Sequence, residues 1–127
     1  MVAYLRQRSA DLGLWNVDAR LVRQSEAIPL AEQGDLLLCV DTFHHMLDRV
    51  SHFANCTQHL KRGGRLVVID RPSSAPEGPP AELRLSAETV EMELAQAGFT
   101  LVKNLDFLQP YQYYLMFTAT DSNTVSP

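Results

Sequence analysis

The 127-residue sequence predicts an α/β fold in which a mostly parallel sheet, with helices on both faces, closes with a C-terminal antiparallel hairpin. Three observations lead there. Leu36 to Val40 and Leu66 to Ile69 are short, continuously apolar runs, the pattern of parallel strands covered on both sides. Between them lies an amphipathic stretch long enough to be a crossover helix. The last two strand-like runs, Thr100 to Phe107 and Tyr111 to Ala119, are joined by a turn containing Pro110 that is too short for a parallel crossover and permits only an antiparallel pair.

At the N-terminus, Val2, Leu5, Ser9 and Leu12 fall at helical spacing, and Gly13 follows where a helix commonly ends in a left-handed residue. Asn16 to Val22 alternates apolar with polar and predicts a strand with one wetter face. A loop around Pro29 leads to Leu36 to Val40, whose apolar continuity predicts a central strand. From Met46 to Leu60, Met46, Leu47, Val50, Phe53, Ala54 and Leu60 gather on one helical face, ended by Lys61-Arg62 and Gly63-Gly64. Arg71 to Pro80 contains four prolines and can sustain neither helix nor ladder, so it is a loop or lid. Ser86 is an N-cap for a helix that turns Val90, Leu94 and Ala97 inward, and Gly98 closes it. The expected domain is residues 1–119, with a disordered tail over 120–127.

Length alone indicates one domain with a real core. Hydrophobic content of 46%, charged content of 20% and a net charge of −4 describe an ordinary globular chain and count against a nucleic-acid partner. No apolar run approaches the ~20 residues of a membrane span, and Met1-Val2-Ala3-Tyr4-Leu5-Arg6 lacks the order of a secretory signal, so the expected location is cytoplasmic. Two cysteines, Cys39 and Cys56, make no disulfide framework and are expected to be reduced thiols.

The order of these segments carries a resemblance. A buried strand that stops in Asp41-Thr42-Phe43-His44-His45, a helix, Leu60-Lys61-Arg62-Gly63-Gly64 before a second strand, and the hairpin Asp106-Phe107-Leu108-Gln109-Pro110-Tyr111-Gln112-Tyr113 together resemble the Rossmann-like class I S-adenosylmethionine-dependent methyltransferases. The resemblance covers nearly the whole chain, from the family's second helix to its last strand. It implies an incomplete methyltransferase sheet, because the family's Gly-rich first turn and the acidic residue that holds the cofactor ribose would precede Met1. A truncated gene or an internal start would explain this, and the isolated chain would then be inactive or would need a complement.

The resemblance also implies roles. Asp41 and Thr42 would lie beside the methionyl part of S-adenosylmethionine, and Gln24 and Ser25 near the adenine. His44 or His45 would face the methyl acceptor, where an imidazole titrating near neutral pH suits removal of a proton. Phe43, Arg71 and Tyr111 would border the acceptor pocket. Set against these roles is a structural reading in which His45 packs under the following helix and His44 bonds a backbone carbonyl. The acceptor itself is not legible. Without the missing strands the Leu36 to Val40 strand would have an open edge, which three things could close: the Val17 to Val22 strand, a second copy of the chain, or an N-terminal partner fragment. The alternative function is a non-catalytic interaction or dimerisation module.

Other constellations compete for notice. His52, Cys56 and His59 recur at i, i+4 and i+7 and could hold zinc, but they are expected on a solvated helix face, so no metal is assigned. Phe107, Tyr111, Tyr113, Tyr114 and Phe117 alternate along a strand and are mostly core by that pattern, and Pro79-Pro80 could suit an SH3-type partner.

Overall fold

The computed structural model describes residues 1–22 and 32–120, and all structural statements below concern these residues. Four strands form one open sheet in the order β1-β2-β4-β3. They are β1 (Gly34–Val40), β2 (Leu60–Asp70), β3 (Phe99–Leu105) and β4 (Tyr113–Ala119), with helices α1 (Val2–Asp11), α2 (Arg49–Cys56) and α3 (Ala87–Gln96). β1 runs parallel to β2, whereas β4 is antiparallel to both β2 and β3. Three strands therefore share a direction, and the expected hairpin exists. Its antiparallel member is interior rather than terminal, because β4 inserts between β2 and β3 and gains ladder bonds on both sides.

The core lies on one face of the sheet. Register places Leu66 opposite Phe117, Val68 opposite Leu115 and Asp70 opposite Tyr113, and the apolar members of these pairs join Phe53, Cys56, Val90 and Leu94 from α2 and α3 in one buried cluster. Leu37 and Cys39 of β1 pack against it. The alternation expected for the last strand holds, since Tyr113, Leu115 and Phe117 are buried while Tyr114 and Met116 are half-buried. α3 is built as its caps foretell: Ser86 Oγ accepts the Thr89 N–H at 3.1 Å, and Gly98 ends the helix at φ +96°, a conformation that costs a glycine little.

Four expectations need correction. Asn16 to Val22 forms no strand: Ala19 C=O accepts a bond from Arg6 Nε, Arg20 pairs with Asp18, and no sheet strand takes the segment as a neighbour. β1 is parallel but not central. Among the described residues it pairs only with β2, which leaves its other edge without a described neighbour, and Leu36, Leu38 and Val40, on the face opposite Leu37 and Cys39, are 53%, 60% and 43% exposed. The helix over Met46 to Leu60 is shorter, Arg49–Cys56, followed by one 3₁₀ turn at Thr57–His59. Leu60 and Lys61 to Gly64 instead belong to β2, where extra residues bulge between the pairs Gly34 with Leu60 and Leu36 with Arg65. The bulge needs Gly64, since a Cβ there would sit 2.9 Å from the Lys61 carbonyl oxygen. Finally, Cys56 does not share a solvated face with His52 and His59; it is 2% exposed in the core, and among the described residues no three His, Cys, Asp or Glu side chains meet as metal ligands.

Both helices that pack, α2 and α3, cover the same face, while α1 carries no buried residue. Thr120 continues the tie between the ends of β3 and β4, its N–H bonding Gly98 O at 2.7 Å. Gln24, Ser25 and residues 121–127 of the expected tail lie outside the described residues. Among the described residues, no helix is long and apolar enough to cross a membrane.

Candidate functional site

Ligands of open parallel sheets sit beyond the carboxyl ends of the strands, which here are the turns after Val40 and Asp70. Asp41 leaves β1 in the left-handed region, φ +50°, with its N–H bonded to Ile69 O at 2.8 Å. An aspartate tolerates this conformation better than most side chains, and such positions concentrate at functional sites. Thr42 Oγ folds back onto Val40 O at 2.7 Å, and Phe43–His45 then make a single 3₁₀ turn. The turn buries Phe43 completely against Phe53, with the Arg49 guanidinium over its ring, so Phe43 offers no surface to a pocket. Arg49 is itself held by Glu93 of α3 through two bonds of 2.8 Å.

That anchoring delivers His44 to the last residue of β2. His44 Nδ1 lies 2.8 and 3.0 Å from the two carboxylate oxygens of Asp70, and the His44 backbone N–H reaches Asp70 Oδ2 at 3.3 Å. Arg71 N–H donates to Asp70 Oδ1 at 2.8 Å. Asp70 is 1% exposed, so these donors replace its water. An ionised carboxylate can only accept, which assigns the proton to Nδ1 and leaves Nε2 of a neutral ring with its lone pair. Nε2 is buried and has no hydrogen-bond partner among the described residues. The structural reading of this pair of histidines is thereby corrected: His44 bonds a carboxylate rather than a carbonyl, and His45 is exposed, its ring centroid 4.0 Å from that of His44.

The buried charge is felt nearby. Burial, aided by Asp70, raises the Cys39 thiol to about 11, and burial with Asp70 raises the Tyr113 phenol above its ordinary value. Tyr113 O–H donates to Leu85 O at 3.0 Å. Beside the turn, an apolar cavity of about 210 Å³ is lined by Leu37, Cys39, Thr42, Met46, Phe53 and Cys56 among others.

A second contact group surrounds Asp41. Gln112 Nε2, from the turn before β4, donates to Asp41 Oδ1 at 3.0 Å, and Arg71 Nε stands 3.6 Å from the same oxygen. Tyr111, the residue singled out in that turn, is instead 52% exposed and bonds locally to Leu108 O through its N–H. The structure thus brings together Asp41, Thr42, His44 and Arg71, adds Asp70 and Gln112, and leaves His45 and Tyr111 at the surface. Asp70 had one signal in the sequence, a carboxylate closing an otherwise apolar strand. Gln112 had none.

The family profile described as methyltransferase domain matches residues 1–68, more than half of the chain. The chain belongs to that family. Its fold is also that of solved methyltransferases. A SAM dependent methyltransferase from Aquifex aeolicus superposes with a TM-score of 0.83 at 24% identity, over 91% of this chain and 62% of that one. An O-methyltransferase of neocarzinostatin biosynthesis, solved with S-adenosylmethionine and 2-hydroxy-5-methyl naphthoic acid, gives 0.77 at 18% identity over 93% and 38% of the two chains. A mitomycin 7-O-methyltransferase gives 0.74 at 18% identity over 94% and 39%. The methyltransferase-family chain therefore spans under two thirds of the length of these structures. Among curated proteins no sequence match is found.

Proposed function

We propose that this chain contributes the acceptor-side half of an S-adenosylmethionine-dependent methyltransferase, with transfer to an oxygen or nitrogen of an acceptor not yet identified. The observation that carries the reading is the His44–Asp70 pair at the carboxyl ends of β1 and β2, in a chain of this family. Family membership favours S-adenosylmethionine as the methyl donor, and the pair offers an oriented imidazole for proton removal.

The residues present fit one end of the cofactor. The half-exposed Asp41 carboxylate at the open end of β1 suits the ammonium of the methionyl part, with Thr42 beside it. No described glycine lies in the turn after β1; those of β1 and β2, Gly34, Gly63 and Gly64, sit towards the opposite ends of their strands, so no backbone cradle for the rest of the cofactor is built there. When bound, the cofactor supplies an electrophilic methyl group on a sulfonium. The chain's own contributions are these: Asp41 holds the ligand end, Asp70 fixes His44 with its proton on Nδ1, and His44 Nε2, buried and unpartnered here, takes the acceptor's proton once the His45 ring against it moves aside. Arg71 and Tyr111 border the acceptor, and His45 is the exposed neighbour through which it approaches. General-base assistance of this kind is worth roughly 10²- to 10⁴-fold in rate.

The open β1 edge favours a second reading, a module for interaction or dimerisation, and in the enzyme reading the same edge would take an N-terminal complementing segment or a second copy. The test is transfer of labelled methyl from S-adenosylmethionine to a panel of phenols, amines and carboxylic acids. Turnover that falls at least a hundredfold in His44→Ala, and less in His45→Ala, supports the assignment. Turnover unaffected by His44→Ala sinks it, and a well-folded chain that transfers nothing while associating reversibly through β1 favours the module.

A further inference from the structure

The proline-rich segment after β2 is not an open strap. Arg84 lies beneath it, and its guanidinium donates to three carbonyls spread along the segment: Pro79 O at 2.6 Å, Ala75 O at 2.8 Å and Pro72 O at 3.0 Å, with Ser73 O at 3.5 Å. Ala75 is 8% exposed, and its N–H closes a turn onto Pro72 O. From the other side Arg71 Nη1 donates to Glu77 O at 3.1 Å, and Gly78, at φ +130°, leaves room for the Arg71 stem; a Cβ there would meet its Cδ. Two guanidiniums thus replace the backbone ladder that the prolines forbid.

Both ends of this arrangement are tied to the ligand end of the sheet. Arg84 precedes Leu85, whose carbonyl accepts the buried Tyr113 hydroxyl of β4. Arg71 faces Asp41, which Gln112 also holds. We propose that Arg84 and Arg71 fold residues 72–80 into a fixed wall latched to the Asp41 turn, which makes Arg71 a positioning residue for Asp41. The latch is read from these contacts alone; its use in positioning a ligand rests on the methyltransferase reading above.

The experiment is limited subtilisin cleavage of the whole chain, with cut sites between Ser73 and Gly78 followed by mass spectrometry. In the unaltered protein these sites are cut slowly. Arg84→Met raises their cleavage at least tenfold, and Arg84→Lys, which keeps the charge but loses the fork, restores only part of the protection. Asp41→Asn raises it about two- to fivefold, the range for a half-exposed ion pair; Arg71→Met, which also loses the bond to Glu77 O, raises it further, and the double variant raises it no more than Arg71→Met alone. Arg62→Met, an exposed arginine elsewhere, leaves it unchanged. If Arg84→Met does not fold, the Asp41 and Arg71 variants carry the test. A loop cut as fast in the unaltered chain as in Arg84→Met overturns the wall, and loop cleavage indifferent to Asp41→Asn overturns the latch. S-adenosylhomocysteine gives a separate arm: failure to slow the cleavage, with the Asp41→Asn effect intact, counts against the cofactor reading and leaves the latch standing.

Discussion

Removing the Asp70 carboxylate should be among the most damaging single changes in the molecule. Asp70 is 1% exposed and accepts from His44 Nδ1, His44 N–H and Arg71 N–H. Asp70→Ala strands these donors in a site closed to water and leaves the His44 ring, itself 3% exposed, without the charge that orients it. Each buried donor left unsatisfied costs about 1–3 kcal/mol, so the loss of all three comes to about 3–5 kcal/mol after partial relaxation. A domain's whole stability is about 5–15 kcal/mol, so the variant should be close to half-way unfolded in mild denaturant. With a urea slope near ~1.5 kcal/mol/M, the midpoint falls by about 2–3 M. Asp70→Asn keeps the shape and one acceptor but turns an amide N–H₂ towards the same donors, and should cost about 2 kcal/mol. The assay is urea unfolding followed by far- and near-ultraviolet circular dichroism. Asp70→Ala within about 0.5 kcal/mol of the unaltered chain, the range of ordinary surface changes, would refute the reasoning.

Four further outcomes follow from the same structure. Burial holds the His52 pKa below its ordinary value. The unfolded chain therefore takes up that proton first, and stability is lost as pH falls below about 6.5; His52→Gln should flatten this acid limb in urea titrations at stepped pH, and an unchanged limb would contradict it. Cys39 and Cys56 are both raised to about 11 by burial, so the unfolded chain ionises first and stability declines as pH rises from about 9 towards 11; both thiols should react with a disulfide reagent far more slowly in native protein than in urea. Ser86→Ala removes the bond to Thr89 N–H and should cost about 1 kcal/mol without altering the sheet, as thermal and urea unfolding would show, whereas Leu38→Thr, on the uncovered face of β1, should change stability by under about 0.5 kcal/mol.

What could be read from the sequence was what local pattern controls. The period-two alternation of Tyr113 to Phe117, the cap at Ser86 and the short link before β4 each constrain neighbouring residues, and each appears as expected. Partnership across the fold was less legible. Leu36 to Val40 is apolar enough for a central strand, but centrality depends on a second neighbour, and among the described residues β1 has only β2. Asn16 to Val22 alternates like a strand and finds no ladder, so it forms none. The site shows the same division: Asp41, Thr42 and His44 follow one another at the end of β1, whereas Asp70 and Gln112 reach them through contacts between residues far apart in sequence. Arg84 gave no signal because its partners are backbone carbonyls, which every sequence possesses.

The most direct measurement is titration calorimetry of S-adenosylhomocysteine into the purified chain, with its mass in solution determined at the same concentrations. The methyltransferase reading predicts binding tighter than about 100 μM, roughly −5.5 kcal/mol, weakened at least fivefold by Asp41→Asn, with the chain alone, paired or supplied with a complementing segment. No heat from a well-folded sample in any of those states would contradict it.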